Sequence, residues 1–243
     1  EVCRIRLQLQ HFNTPTLQHS NTFHKLRCRF SKTGPAALHG HLELMGLLKR
    51  AIERCKTPAA YSEGFHPQMK LSTGPALPLG VESVCEYFEL CLTKDVQPVD
   101  FISKINATLP EGLKIIDAEL VDLKAPSGYL APAFVNYRAQ FLDPVPDTDL
   151  EKIEQNILSL KNGEYLTIAR VSRKDNKQRI FKLNDHLDLS TVVLTQRVLN
   201  FSLRCTNTGT LKPTEVVTAL SDISAENINY VLVSKVGLVP AQL

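Results

Sequence analysis

The run KLRCRF at residues 25–30 puts Leu26, Cys28 and Phe30 on one side of an extended chain and Lys25, Arg27 and Arg29 on the other. Period-two alternation marks a half-buried β-strand, because successive side chains point to opposite faces. The outward face is then a row of cations spaced about 6.6 Å apart, two strand rises. Gly34 and Pro35 break the strand. A helix is predicted over residues 38–55, where Leu44, Leu48, Ala51, Ile52 and Cys55 form one apolar stripe. Residues 58–80, punctuated by Pro and Gly, read as an extended arm or irregular hairpin. A strand at 85–92, a helix at 99–109 and a strand at 114–120 complete a βαββαβ order, the split βαβ or ferredoxin-like arrangement.

Pro126, Gly128 and Pro132 mark a linker at 126–133, after which the order repeats. Strands are predicted at 135–141, 165–173, 199–205 and 230–239, with helices at 150–160 and 214–220. Residues 184–190 read as a loop or a bulged strand extension. The expected fold class is α+β, two tandem ferredoxin-like (βαββαβ) halves with separate antiparallel sheets, at 24–125 and 134–243. Residues 1–23 contain the near-repeat HFNTPTLQ and HSNTF and little apolar material, so they read as a disordered or spurious extension.

Of 243 residues, 43% are hydrophobic and 22% charged, proportions ordinary for a globular chain. No apolar run approaches the roughly 20 residues that span a bilayer, and no secretory leader is visible, so a cytoplasmic protein with no membrane association is expected. The six cysteines are scattered without a C-x-x-C pair and read as reduced core residues. The net charge of +3 is unevenly distributed: eight Lys or Arg between residues 24 and 56 face two carboxylates, and seven between 161 and 182 face two more. Such concentrations favour a polyanionic partner.

SKTG at 31–34 lacks the glycines that a phosphate loop needs ahead of Lys-Thr, which argues against a nucleoside triphosphate. Lys32 with the Gly34 turn is still expected to suit a single phosphate of a larger ligand. His39 and His41 lie two apart, whereas a helical metal pair wants i, i+4, so no metal and no cofactor are expected. His41 and His66 are the acid–base candidates. In YSEGFHPQMKLS (61–72), Tyr61, Phe65, His66 and Lys70 set ring faces beside charge, the combination that binds single strands. There, Phe65 is expected to plug the core, with His66 and Lys70 outward.

FSKTG (30–34), HLELM (41–45), YSEGFHPQMKLS (61–72) and ALPLGVES (76–83) together resemble the signature block of the radical-SAM-linked protein family, an uncharacterised bacterial domain found beside or fused to a B12-binding/radical-SAM protein. LPEGLKIIDAE (109–119) and GTLKPTEVVTAL (209–220) extend the resemblance more weakly. Glu43 stands where that family usually has Asp, Met69 stands where it has a second Pro, and nothing before about Phe23 fits. The family motif maps onto His41, Gly64, Phe65, Pro67 and Lys70. The resemblance implies a radical-SAM protein as partner. With no close trio of cysteines to hold an iron–sulfur cluster, the chain would be the companion and not the radical enzyme.

The expected function is therefore a non-catalytic accessory module that binds RNA or a ribosomal substrate. Its contact residues would be Lys25, Arg27, Arg29, Lys32, Lys49, Arg50, Arg54, Phe65, His66 and Lys70. One alternative is a metal-independent endoribonuclease, since tandem ferredoxin-like halves also look like the CRISPR repeat-processing enzymes, although the glycine-rich C-terminal loop of that group is missing. The other is a protein–protein adaptor.

Overall fold

β1 (His24–Lys32) forms where the alternation requires it, with Leu26, Cys28 and Phe30 buried. The computed structural model describes residues 24–127, 129–171, 176, 178–206, 210–221, 223 and 227–240, so the expectation for residues 1–23 lies outside the described residues. Pro35 takes the chain through a 3-10 turn, Gly34–Leu38, which delays the helix predicted from residue 38. α1 (His41–Arg54) starts instead after Gly40, whose N–H donates to the Glu43 carboxylate at 2.8 Å and satisfies one orphan donor of the helix end.

β2 (Leu71–Thr73), β3 (Glu82–Leu92), α2 (Pro98–Asn106) and β4 (Leu113–Val121) complete the first half. The second runs β5 (Pro132–Phe141), α3 (Asp147–Lys161), β6 (Thr167–Val171), β7 (Gln178–Lys182), α4 (Leu183–His186), β8 (Leu187–Thr195), β9 (Val198–Arg204), α5 (Pro213–Ser221) and β10 (Val231–Pro240). The fold is α+β with a mostly antiparallel sheet.

Two separate sheets were expected, and one continuous eight-stranded sheet is found. Its order is β4-β1-β3-β10-β5-β9-β8, with β2 also paired to β3. β10 joins the halves by running parallel to β3 at just two positions, Ser234 opposite Glu82 and Lys235 opposite Ser83. Every other pairing in the sheet is antiparallel. Two cores sit side by side. α1 and α2 cover the first around Phe30, Phe88 and Ile105; α3 and α5 cover the second around Phe141, Phe201 and Val217. The predicted strand at 165–173 is shorter and leaves the sheet, because β6 and β7 form a hairpin of their own. Residues 184–190, expected as a loop or a bulged strand extension, finish α4 and begin β8, whose register with β9 shifts between Asp188 and Val193.

Candidate functional site

The arm between α1 and β2 is a hydrogen-bonded projection. Ala60 N–H donates to Cys91 O at 2.8 Å and Cys91 N–H to Lys70 O at 3.0 Å, anchoring both legs to the end of β3. Further out, Lys70 N–H reaches Ala60 O, Ser62 N–H reaches Gln68 O, and Gln68 N–H reaches the Ser62 hydroxyl, all within 2.9 Å. Met69 is the residue that turns into the core. Residues 63–68 are all exposed, and Gly64 supplies a φ of +112° for the turn. Phe65 was expected to plug the core, but it stands fully exposed at the tip. The arm is held by backbone hydrogen bonds and Met69, which leaves the phenyl ring no packing duty. His66 and Lys70 are exposed beside it.

The cationic row on β1 is not an open surface. Glu89 on the neighbouring β3 accepts from Arg27 Nε at 3.0 Å and Nη2 at 2.9 Å, from Lys25 Nζ at 2.9 Å and from the Ser127 hydroxyl at 2.7 Å. Burial acts to raise the Glu89 carboxyl, but hydrogen bonds from Lys25, Ser127 and Arg27 outweigh it and hold the group below its usual range. The segment linking the halves lies over these charges. Lys25 also donates to Ala125 O, and Arg27 lies 5.2 Å from the Tyr129 ring centroid, which in turn stacks on Tyr87. Lys25 and Arg27 are thus corrected from outward cations to paired ones. Arg29 is half-buried, opposite Tyr87 and Asp117. On α1, Arg50 and Arg54 are exposed and Lys49 is half-buried; Arg54 donates to Thr108 O at 2.8 Å.

Lys32 is also corrected. It is buried, and its Nζ donates to Ala37 O at 3.1 Å. Burial pushes its ammonium below the ordinary value while Glu86 acts in the opposite direction. The Gly34 N–H meets the Glu82 carboxylate at 2.7 Å, so the turn expected to receive phosphate already holds an anion.

Glu86 belongs to a buried polar seam at the β3–β10 crossing that the sequence reading missed. Lys235 Nζ lies 2.8 Å from its carboxylate and the Ser83 hydroxyl donates to it at 2.7 Å. Burial pushes the nearby Tyr137 hydroxyl and the Cys85 and Cys205 thiols up. An acidic residue at the fifth position of a strand rich in large side chains was the available signal. Its partner lies 149 residues away in sequence, with nothing in either segment to connect them.

Neither His41 nor His66 has a hydrogen-bond or ion-pair partner among the described residues, so neither has a group to orient it as a base. His39 lies 3.9 Å from Glu43. Among the described residues no group of three or more His, Cys, Asp or Glu could hold a metal, and no helix is long and apolar enough to cross a membrane. In the second basic region Arg170 pairs with Glu215, and Lys182 lies over Tyr165. Arg173, Lys174 and Lys177 lie outside the described residues.

A family model described as an uncharacterised protein conserved in bacteria, DUF2344, matches residues 25–213. No curated protein sequence matches the chain. Among solved structures, a chain of "Crystal Structure of a Cbf5-Nop10-Gar1 Complex" is similar at 13% identity and a TM-score of 0.41, covering 89% of this chain and 49% of that one. The chain therefore spans about half the length of that structure's chain, and a likeness so remote carries no functional argument.

Proposed function

The chain belongs to this uncharacterised bacterial family, DUF2344, and from that premise we propose that it is a non-catalytic accessory module that docks onto a partner protein through the arm at 61–70. The observation that carries this reading is Phe65, a large ring held fully in solvent on a hydrogen-bonded hairpin. A rigid exposed aromatic is the kind of anchor that fills a pocket on a partner and dominates binding. The partner we assign is the radical-SAM protein implied by the resemblance of residues 30–83. We also read each half as ferredoxin-like, because each runs fourth–first–third–second strand across the sheet.

The RNA reading loses three of its ten contact residues, since Lys25, Arg27 and Lys32 are paired or buried. It keeps Arg50, Arg54, His66 and Lys70 as exposed groups. Titration calorimetry of the chain against its radical-SAM partner tests the proposal. Binding by the wild type that falls about tenfold or more in Phe65→Ala supports it. Equal binding by both proteins defeats the arm as the contact. Steeply salt-dependent binding to single-stranded RNA, with none to the enzyme, would transfer the same surface to a nucleic-acid role.

A further inference from the structure

Among the described residues, β6 and β7 are the strands that stand outside the main sheet, and the two faces of their hairpin differ. Ile168 and Phe181, opposite each other, pack against the second core. Next along that face, Arg170 lies 5.0 Å from the Phe181 ring centroid and pairs with Glu215 of α5. The other face is in solvent: Ala169, Val171, Ile180 and Lys182 are exposed on it. Tyr165 is exposed just before β6, with Lys182 Nζ 5.1 Å from its ring centroid. β7 pairs with β6 alone, so its outer edge has no strand beside it among the described residues. Arg170 stands directly opposite Arg179. The β-carbons of such a pair lie about 4.5–5.5 Å apart, and like charges there destabilise a hairpin. Glu215 neutralises Arg170; Arg179 is exposed and pairs with no carboxylate among the described residues.

We propose that this hairpin binds single-stranded nucleic acid. Residues 165–182 carry six Lys or Arg against one acid, Asp175, and a polyanion is the ligand that relieves such a field. Glu164 and Asp185 flank the hairpin in sequence, and neither pairs with Arg179 or Lys182. Those two cations belong to opposite faces of β7, because they lie three apart on a strand. A flat anionic membrane would meet Lys182 and leave Arg179 on the far side. A thread that follows the free edge of β7 meets both. The exposed face selects a single strand over a duplex: Tyr165, Val171 and Ile180 offer ring and apolar surface to unstacked bases, which a duplex keeps inside. A cation beside a ring is the combination with which single-strand sites hold backbone and base together. The site belongs to the second half of the chain and the Phe65 arm to the first, so it stands whether or not that arm docks a partner.

The test uses the full chain and a fluorescein-labelled oligouridylate of about twelve nucleotides, with anisotropy read across a salt series. Arg179→Gln with Lys182→Gln should reduce the slope of log affinity against log salt by about 1.4, two phosphate contacts at about 0.7 each. Lys94→Gln with Lys104→Gln removes the same exposed charge from the first half and should leave the slope unchanged, as should Phe65→Ala. Tyr165→Leu should weaken binding about fivefold or more, whereas Tyr165→Phe, which keeps the ring, should not. Arg179→Gln alone also ends the like-charge pair with Arg170, so its urea midpoint should hold or rise while its affinity falls. A fall in both would make Arg179 a folding residue and overturn the site. Equal slopes in the two double variants would overturn it as well. So would binding to phosphatidylserine vesicles with none to the oligonucleotide, because the cations would then serve a lipid surface.

Discussion

At the scale of single residues, the close approach of two turns places the heaviest demand on Gly112. Its φ is +84°, and a β-carbon added there would lie 2.1 Å from Thr33 O and 2.9 Å from the Ala36 β-carbon. The same residue receives the Thr33 N–H at 2.9 Å through its carbonyl, clasping the end of β1 to the start of β4. Backbone atoms cannot yield as a flexible side chain can. Gly112→Ala is therefore expected to cost about 2 kcal/mol or more, combining a left-handed backbone with a steric clash. A urea titration reads this directly, and an unchanged midpoint would mean that the turn at 33–36 shifts freely. Phe65→Ala makes the opposite prediction: the ring touches no core, so the same titration should show a change within about 0.5 kcal/mol. Phe65 was misread because a phenylalanine in a long loop is ordinarily drawn inward. The sequence carries no sign that Met69 and backbone pairing already close the arm.

Among the elements, those with strong periodicity were legible and those defined by their neighbours were not. β1, α1, β3, α2, β4, β5, α3, β9, α5 and β10 fall within a few residues of the expected positions, because alternation and apolar stripes are local properties, whereas β7, α4 and β8 had no expected counterpart. The covering of β1 is not local. Its cations read as a solvent face until residues 125–127 and Tyr129 are laid against them, and Glu89 lies 62 residues beyond Arg27. This arrangement has a pH consequence. Glu89 is held below its usual range by Lys25, Ser127 and Arg27 against the opposing effect of burial. A carboxylate with a lowered folded value adds stability above its unfolded value of about 4.3, and that stability is lost as pH falls through the folded value. Glu89→Gln removes the charge at every pH. The stability gap between wild type and variant, measured by urea unfolding, should be widest near neutrality and shrink as the solution is acidified below about pH 4. A gap independent of pH would show that the hydrogen bonds matter there and the charge does not.

For the whole molecule, the question is what makes two cores behave as one body. They are separate clusters: the first is built on β1, β3 and β4, the second on β5, β9 and β10, with Val81, among the described residues, the one buried residue that the first half contributes to the second core. The sheet joint supplies two residue pairs. The Glu86–Lys235 ion pair, with Ser83 on the same carboxylate, spans that joint and is buried on both sides. A buried pair is weak evidence of net stabilisation, since desolvation opposes the attraction; breaking it from one side is costly because the remaining charge is stranded. Glu86→Ala would leave Lys235 without its carboxylate and Lys32 without the charge that offsets its burial. The expected cost is about 3–5 kcal/mol. Replacing both partners, Glu86→Met with Lys235→Met, should recover most of it, because no unpaired charge remains from the pair. Calorimetry separates a local lock from a general loss of stability. If the seam couples the halves, Glu86→Ala should split the heat-absorption peak into two while the double variant restores one. A single peak moved to lower temperature would assign the coupling to Val81 and to the contacts that residues 125–127 and Tyr129 make with β1.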